Sequence, residues 1–278
     1  MTAAEGALAT RPSSFAGLRV TQVGVLRSEW IKLRSLRSTW FSLIAAVLIM
    51  DGLGTLFAGL HAHRVQSNAG PGAHVLFDAT QVSLRGVFLA QLAIGVLGVL
   101  VISGEYATGM IRSSLAAAPR RLPVLVAKAG VFAGVVFVIA LAGSFAAFFL
   151  GQAAQSSTHV QATLSTPGAL RAVVAAAIYL TLIGLLAVGL GFAIRNTAGA
   201  IATLFGIVLV APLLTNTLPD PYSTDVAKFL PLNTLNQAIS TLDRDPNLFG
   251  AWTGIGITAI WAAAALIGGA FVLMRRDA

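Results

Sequence analysis

Cysteine is absent from the 278 residues. That absence excludes structural disulfides, thiolate metal sites and thiol catalysis together, and it leaves the compartment open. Charge is scarce as well: 10% of residues are charged, against roughly 25% in an ordinary soluble domain. Lysine is scarcer still. The three lysines, Lys32, Lys128 and Lys228, follow Ile31, Ala127 and Ala227. A P-loop needs a Gly-Lys-Ser/Thr run, whose amides and lysine cradle phosphates, and none of the three fits. The expectation is that this chain is not an enzyme and carries no cofactor or metal of its own.

What is present is hydrocarbon. Hydrophobic residues make up 56% of the chain and mean hydropathy is +0.84. So few charged side chains cannot keep a fold of this size dissolved. An ordinary soluble enzyme, a disordered chain and a disulfide scaffold are thereby excluded, and a polytopic helical membrane protein remains. A bilayer core of about 30 Å needs about 20 apolar residues per helix. Six segments qualify, at 39–60, 83–103, 124–152, 169–194, 199–218 and 251–274. Pro212 interrupts the fifth and is expected to kink or end it. No internal repeat is visible, which speaks against a transporter built from duplicated bundles.

The charges that do occur lie between the apolar runs. Net charge is +8 and the pI is near 11.0, yet the basic clusters are loop clusters, as expected at an anionic inner leaflet and not of a nucleic-acid binder. With the N-terminus inside, thirteen of the eighteen Lys and Arg residues fall on inside segments. The positive-inside rule therefore places both termini in the cytoplasm, with the protein in the plasma membrane. Arg outnumbers Lys fifteen to three and Ala and Gly are abundant, a bias of GC-rich bacterial genomes. Two regions result: residues 1–38, a basic cytoplasmic segment, and residues 39–278, a six-span membrane domain.

Two cytoplasmic segments stand out. In residues 18–38, Val23, Leu26, Trp30 and Leu33 recur at helical spacing, with Arg27, Lys32, Arg34 and Arg37 beside or opposite them. This predicts a basic amphipathic helix at the membrane interface, either a topological anchor or a lever that meets a partner. In residues 104–123, Ile111, Leu115 and Ala118 repeat at helical spacing before Pro119. A short cytoplasmic helix is expected there, with Glu105 at its start, where a negative charge suits the dipole, and Arg120 and Arg121 at its close. A structural alternative pairs Glu105 with Arg112 or Lys128.

The runs S-E-W-I-K-L-R-S-L-R-S-T-W, residues 28–40, and G-E-Y-A-T-G-M-I-R-S-S-L-A-A-A-P-R-R, residues 104–121, with Ala127-Lys128 after them and F-L-P-L-N at 229–233, resemble ABC-2 type permeases, the membrane subunits of a class of bacterial ATP-binding-cassette exporters. Met110 departs from the β-branched residue more usual at its position. The resemblance implies a coupling helix that meets an ATPase, with Glu105, Tyr106, Gly109, Arg112, Arg120 and Arg121 as its residues. It implies a connecting helix with Glu29, Trp30, Lys32 and Arg34. It also implies a homodimer or heterodimer of permeases, an ABC ATPase partner, and ATP and magnesium bound in that partner.

Other features carry less. The outer stretch 219–250 contains Pro219, Pro221, Pro231 and Pro246. Its Val226, Phe229, Leu230, Leu235, Ile239 and Leu242 can form an apolar stripe, so short re-entrant or interfacial helices are expected, as a gate or a lid. Asp51, within the first span, needs a partner or water; Arg85 is the expected mate, and a place on a substrate path is the alternative, as for Gln91. Gly130 and Gly134 make a G-x-x-x-G that permits close helix contact. His61, His63, His74 and His159 lack metal-site spacing. The competing functions are an ion-coupled secondary transporter, an intramembrane enzyme and a membrane anchor for a signalling partner.

Overall fold

The computed structural model describes residues 21–67, 78–111, 121–156, 161–242 and 248–275. The described residues contain helices and no strands. In chain order they are α1 (Gln22–Ser35), α2 (Arg37–Ser67), α3 (Ala79–Ser83), α4 (Val87–Ala107), α5 (Arg121–Ala154), α6 (Ala169–Ile194), α7 (Thr197–Phe205), a π-helical turn (Gly206–Val210), α8 (Ala211–Thr215), α9 (Tyr222–Ala227), α10 (Pro231–Ile239) and α11 (Ala251–Arg275). Among the described residues six stretches are long and apolar enough to cross a membrane: Arg37–Arg64, Val87–Ala107, Arg121–Ala154, Ala169–Ile194, Thr197–Thr215 and Ala251–Arg275.

These are the six expected spans with shifted ends. The fourth begins and ends where its apolar run does. The second starts later, because residues 79–83 form the separate helix α3 and a turn precedes Val87. The fifth is broken as Pro212 requires. Proline has no amide proton and its ring clashes with the carbonyl four residues back. The chain absorbs this with one π turn, Gly206–Val210, immediately before α8. A π turn of this kind lets the helix continue across the missing hydrogen bond.

Helix α6 is the centre of the bundle. Ala172, Val173, Ala175, Ala176, Ala177, Tyr179, Leu180 and Ile183 are all fully buried, and α6 packs against α4, α5, α7, α10 and α11. Small residues let it do so. A Cβ on Gly98 of α4 would stand 2.7 Å from the Gly184 carbonyl of α6, and one on Gly269 of α11 would stand 2.8 Å from the Gly189 carbonyl. These glycines bring backbones together, which is how small residues act where no hydrophobic force drives helices together. The motif singled out from sequence does not: Gly130 and Gly134 have no described atom within 4 Å of an added Cβ.

The stretch after α8 divides in two. On α10, Leu235 and Ile239 are buried and Leu230 just before it is nearly so, whereas Val226 and Phe229 are 45% and 48% exposed. The expected single stripe is therefore two surfaces, one of them facing outward. Thr234 of α10 hydrogen-bonds Thr258 of α11 at 2.7 Å, and the Trp261 indole donates to the Phe229 carbonyl at 2.9 Å. Both bonds hold this segment onto the last span.

Candidate coupling site

The run Gly104–Gly109 forms the end of the second span and not the start of a new helix. Glu105 lies in the last turn of α4 and Thr108 is the C-cap. Gly109 follows at φ 71°, a left-handed conformation that glycine adopts without strain. The Thr108 and Gly109 amides donate to the Gly104 and Tyr106 carbonyls at 3.1 and 3.2 Å, which satisfies the last carbonyls of the helix. The role of Gly109 is thus to stop α4. The expected placement of Glu105 at a helix start is corrected: its carboxylate sits at the C-terminal end, where the helix dipole disfavours it.

Lysines supply the compensation. Lys128, on the third turn of α5, places its ammonium 2.7 Å from Glu105 Oε1 and 2.5 Å from Glu29 Oε2 of α1. Lys32, one turn beyond Glu29, is 2.7 Å from Glu29 Oε1 and 3.5 Å from Glu105 Oε1. The Lys128 and Glu29 side chains are each 4% exposed, Glu105 is 10% exposed and Lys32 is 27% exposed. Two carboxylates and two ammoniums make a neutral cluster that joins α1 to the end of α4 and the start of α5. A buried lysine without such partners would not stay charged. Removing one member leaves an uncompensated buried charge, at a cost of about 3–5 kcal/mol.

Burial opposes the ionised form of Glu29, but the Lys128 and Lys32 ammoniums outweigh it and hold the carboxyl below its ordinary 4.5. Burial likewise opposes the charged form of Lys32, and Glu29 and Glu105 outweigh it, so the ammonium is held above its ordinary 10.5.

The face of α1 that meets the bundle is therefore the Glu29–Leu33 face. Of the expected apolar stripe only Leu33 is buried; Val23, Leu26 and Trp30 are 74%, 37% and 44% exposed. The ion pairs decide the orientation, and the remaining apolar side chains are turned outward. Arg34 contributes through its backbone, whose carbonyl accepts from the Trp40 indole at 3.1 Å. Gln22 ties the first turn of α1 to the Pro123 carbonyl at 3.2 Å.

A second set of cations gathers the other helix ends. Arg121, at the start of α5, donates to the Leu273 carbonyl at 2.8 Å, and Arg195, after α6, donates to the Val272 carbonyl at 3.1 Å. Cations at the last carbonyls of α11 suit its dipole. The Arg195 guanidinium also lies over the Tyr106 ring, 5.2 Å from its centre. Tyr106 is thus engaged with α6. Arg112 and Arg120 lie outside the described residues, as do Ile111's expected partners Leu115 and Ala118.

The two mid-span residues stand apart from this cluster. Gln91 is buried and accepts from the Tyr179 hydroxyl at 2.6 Å, while its amide donates to the Phe88 carbonyl at 2.9 Å. It joins α4 to α6. Among the described residues Asp51 makes no ion pair with Arg85, and its Oδ1 is buried without a hydrogen-bond partner. The expected Asp51–Arg85 pairing is not formed. Of the cluster, Lys128 was visible from sequence as one possible partner of Glu105. The part of Glu29 was not, because nothing local shows that residues 29 and 128 meet.

No curated protein matches this chain. Residues 25–213, however, match the family described as ABC-2 family transporter protein. The matched stretch runs from α1 to α8 and includes all four members of the cluster. That match covers more than half of the chain and coincides with five of its six apolar helices; this membrane protein belongs to the ABC-2 family of transporters.

Proposed function

We propose that the chain is the permease subunit of an ATP-driven exporter in the plasma membrane, worked by a separate ABC ATPase. Two permeases, identical or not, would enclose the path. The ATPase would dock at the end carrying α1, against residues 104–121, with both chain termini on the same, cytoplasmic side. The chain itself binds no nucleotide in this reading; ATP and magnesium belong to the partner, and hydrolysis with them.

The ion cluster carries the proposal. Glu29, Lys32, Glu105 and Lys128 fasten α1 and the end of α4 to the start of α5, and residues 112–120 join those two helices in sequence. A push on that segment would move α4 and α5 as one piece, with α1 following. An ATPase that binds ATP more tightly in one arrangement of the bundle can then shift the bundle between arrangements. An ion-coupled transporter fits less well. Lys128 lies near the start of a helix of 34 residues, which at 1.5 Å per residue exceeds the bilayer core by several turns. The four charges of the cluster therefore lie toward one end of the spans, and the mid-span Asp51 stands apart from them.

Purification of the tagged chain from its host in mild detergent is expected to bring down an ABC ATPase whose hydrolysis the chain accelerates. Vesicles holding this chain alone that pump solute under a pH gradient would overturn the proposal. Because the chain has no cysteine, Ser28→Cys is expected to react only with a cytoplasmic label and Tyr222→Cys only with an external one.

A further inference from the structure

Helix α1 spends one face on the bundle and leaves the rest free. Glu29 and Leu33 are its buried residues. Glu29 is also its only acid, and both carboxylate oxygens are taken, one by Lys32 and one by Lys128. Arg27 and Arg34 are exposed. At about 100° per residue they fall on one side of the helix, opposite Glu29 and two turns apart. Arg37, at the start of α2, is exposed as well. None of these three guanidiniums makes an ion pair among the described residues.

The exposed apolar side chains have a place in this order. By the same geometry Leu26, Trp30 and Val23 fall between the buried face and the two arginines. An interfacial helix has that arrangement, with an apolar flank in hydrocarbon and cations at the level of the headgroups. The flank does not end with α1. The Trp40 indole donates to the Arg34 carbonyl at 3.1 Å, and Trp40, Phe41, Ile44 and Leu48 continue as exposed apolar side chains along the first turns of a membrane span. Hydrocarbon therefore begins beside Arg34. This continuity favours lipid over a protein partner as the neighbour of α1.

Charge selects the lipid. Three guanidiniums stand at this edge with no carboxylate to balance them. A zwitterionic headgroup brings a cation of its own, whereas an anionic phospholipid brings only the phosphate charge, which a guanidinium binds through paired N–H donors. We infer that the outward side of α1 is a binding surface for anionic phospholipid, with Arg27 and Arg34 on phosphates, Arg37 beside them, and Val23, Leu26 and Trp30 among the upper acyl chains. The surface belongs to the chain alone and does not rest on the transport reading.

The test uses the full chain in vesicles of equal parts phosphatidylcholine and phosphatidylglycerol. In one preparation only the phosphatidylcholine chains are brominated, and in the other only the phosphatidylglycerol chains. Bromine quenches a tryptophan that it touches, and the difference from Trp30→Phe isolates Trp30. Quenching by phosphatidylglycerol is expected to exceed that by phosphatidylcholine by at least roughly fivefold, the gain of one cation at an anionic surface. Trp252, exposed at the other end of the bundle and isolated in the same way by Trp252→Phe, should be quenched alike by both. The double variant Arg27→Gln with Arg34→Gln removes no bond within the chain and should abolish the preference at Trp30. Should that variant not fold, the same loss is expected of the unaltered chain when salt is raised from about 0.1 to about 1 M, which shortens the screening length from about 10 to about 3 Å. Quenching of Trp30 by neither lipid would assign this side of α1 to a protein partner and overturn the inference. Equal quenching by both lipids, an equal preference at Trp252, or a preference that the double variant leaves intact would overturn it as well.

Discussion

At the α1 end of the bundle, helices are joined by full charges; at the opposite end they are joined by amides and hydroxyls. There Gln152 of α5 donates to the Ala79 carbonyl at 3.1 Å and to Ser83 Oγ at 3.0 Å, and Gln155 donates to the same Ser83 oxygen at 3.0 Å. Asp78 adds one carboxylate, which accepts from the Gln81 amide at 2.9 Å, Ser240 Oγ at 3.0 Å and the Thr241 amide at 2.5 Å. Neutral hydrogen bonds contribute one at a time and each contributes modestly. A buried ion cluster acts as a unit, because each charge is tolerable only while the others are present. The α1 end is therefore held together as one unit, and the other end by a set of separable contacts.

The largest effect is expected from Lys128→Met, which leaves Glu29 and Glu105 buried with Lys32 alone. A loss of about 3–5 kcal/mol should appear as a lower Tm in detergent. Adding Glu29→Gln and Glu105→Gln to it should restore a measurable part of that loss, because the buried charges go together; strict additivity of the three substitutions would contradict a unit. Asp78→Asn comes next. It weakens three charge-assisted bonds, and roughly 1.5–3 kcal/mol should be lost, with faster amide exchange at Gln81 and Thr241. Ser83→Ala is smaller, about 0.5–1.5 kcal/mol in total, because the Gln152 and Gln155 amides still donate to the Ala79 and Gly151 carbonyls, and it is read in the same thermal assay. An effect of Ser83→Ala as large as that of Lys128→Met would erase the contrast between the ends.

The smallest effect is expected from pH. Glu29 is held below 4.5, so its contribution is present above that value and is lost only as pH falls through its lower folded value. Lys32 is held above 10.5, so its contribution is present below that value and is lost only as pH rises through its higher folded value. Between those limits Glu29 and Lys32 should leave Tm unchanged with pH. A titration near neutrality that disappears in Lys128→Met would show that one of these groups is not ionised as the geometry requires.

Much of this architecture is legible in the order of residues. The six spans are, because hydrocarbon length is a property of contiguous sequence. The disruption at Pro212 is, because proline acts on its own backbone. The chain stop at Gly109 is of the same local kind, though sequence spacing alone extended a helix across it. Which side of α1 meets the bundle is not legible, since Val23, Leu26 and Trp30 make the more obvious stripe. Glu29 wins because a distant lysine offers it a buried partner, and the apolar side chains then turn outward. The small-residue contacts are illegible for the same reason: glycines are common along every span, and only the packing shows that backbones meet at Gly98, Gly184, Gly189 and Gly269.

By itself, then, the amino-acid order determined the membrane class, the number of spans, the lack of a P-loop and the motifs that mark the family, all of which depend on composition or on neighbours along the chain. Only the tertiary structure decided that Glu29, Lys32, Glu105 and Lys128 form one neutral cluster and that Asp51 stands without Arg85. Residues 29 and 128 are 99 positions apart, and the free energy of burying a charge is set by which opposite charge lies within about 4 Å, a distance that no local pattern encodes.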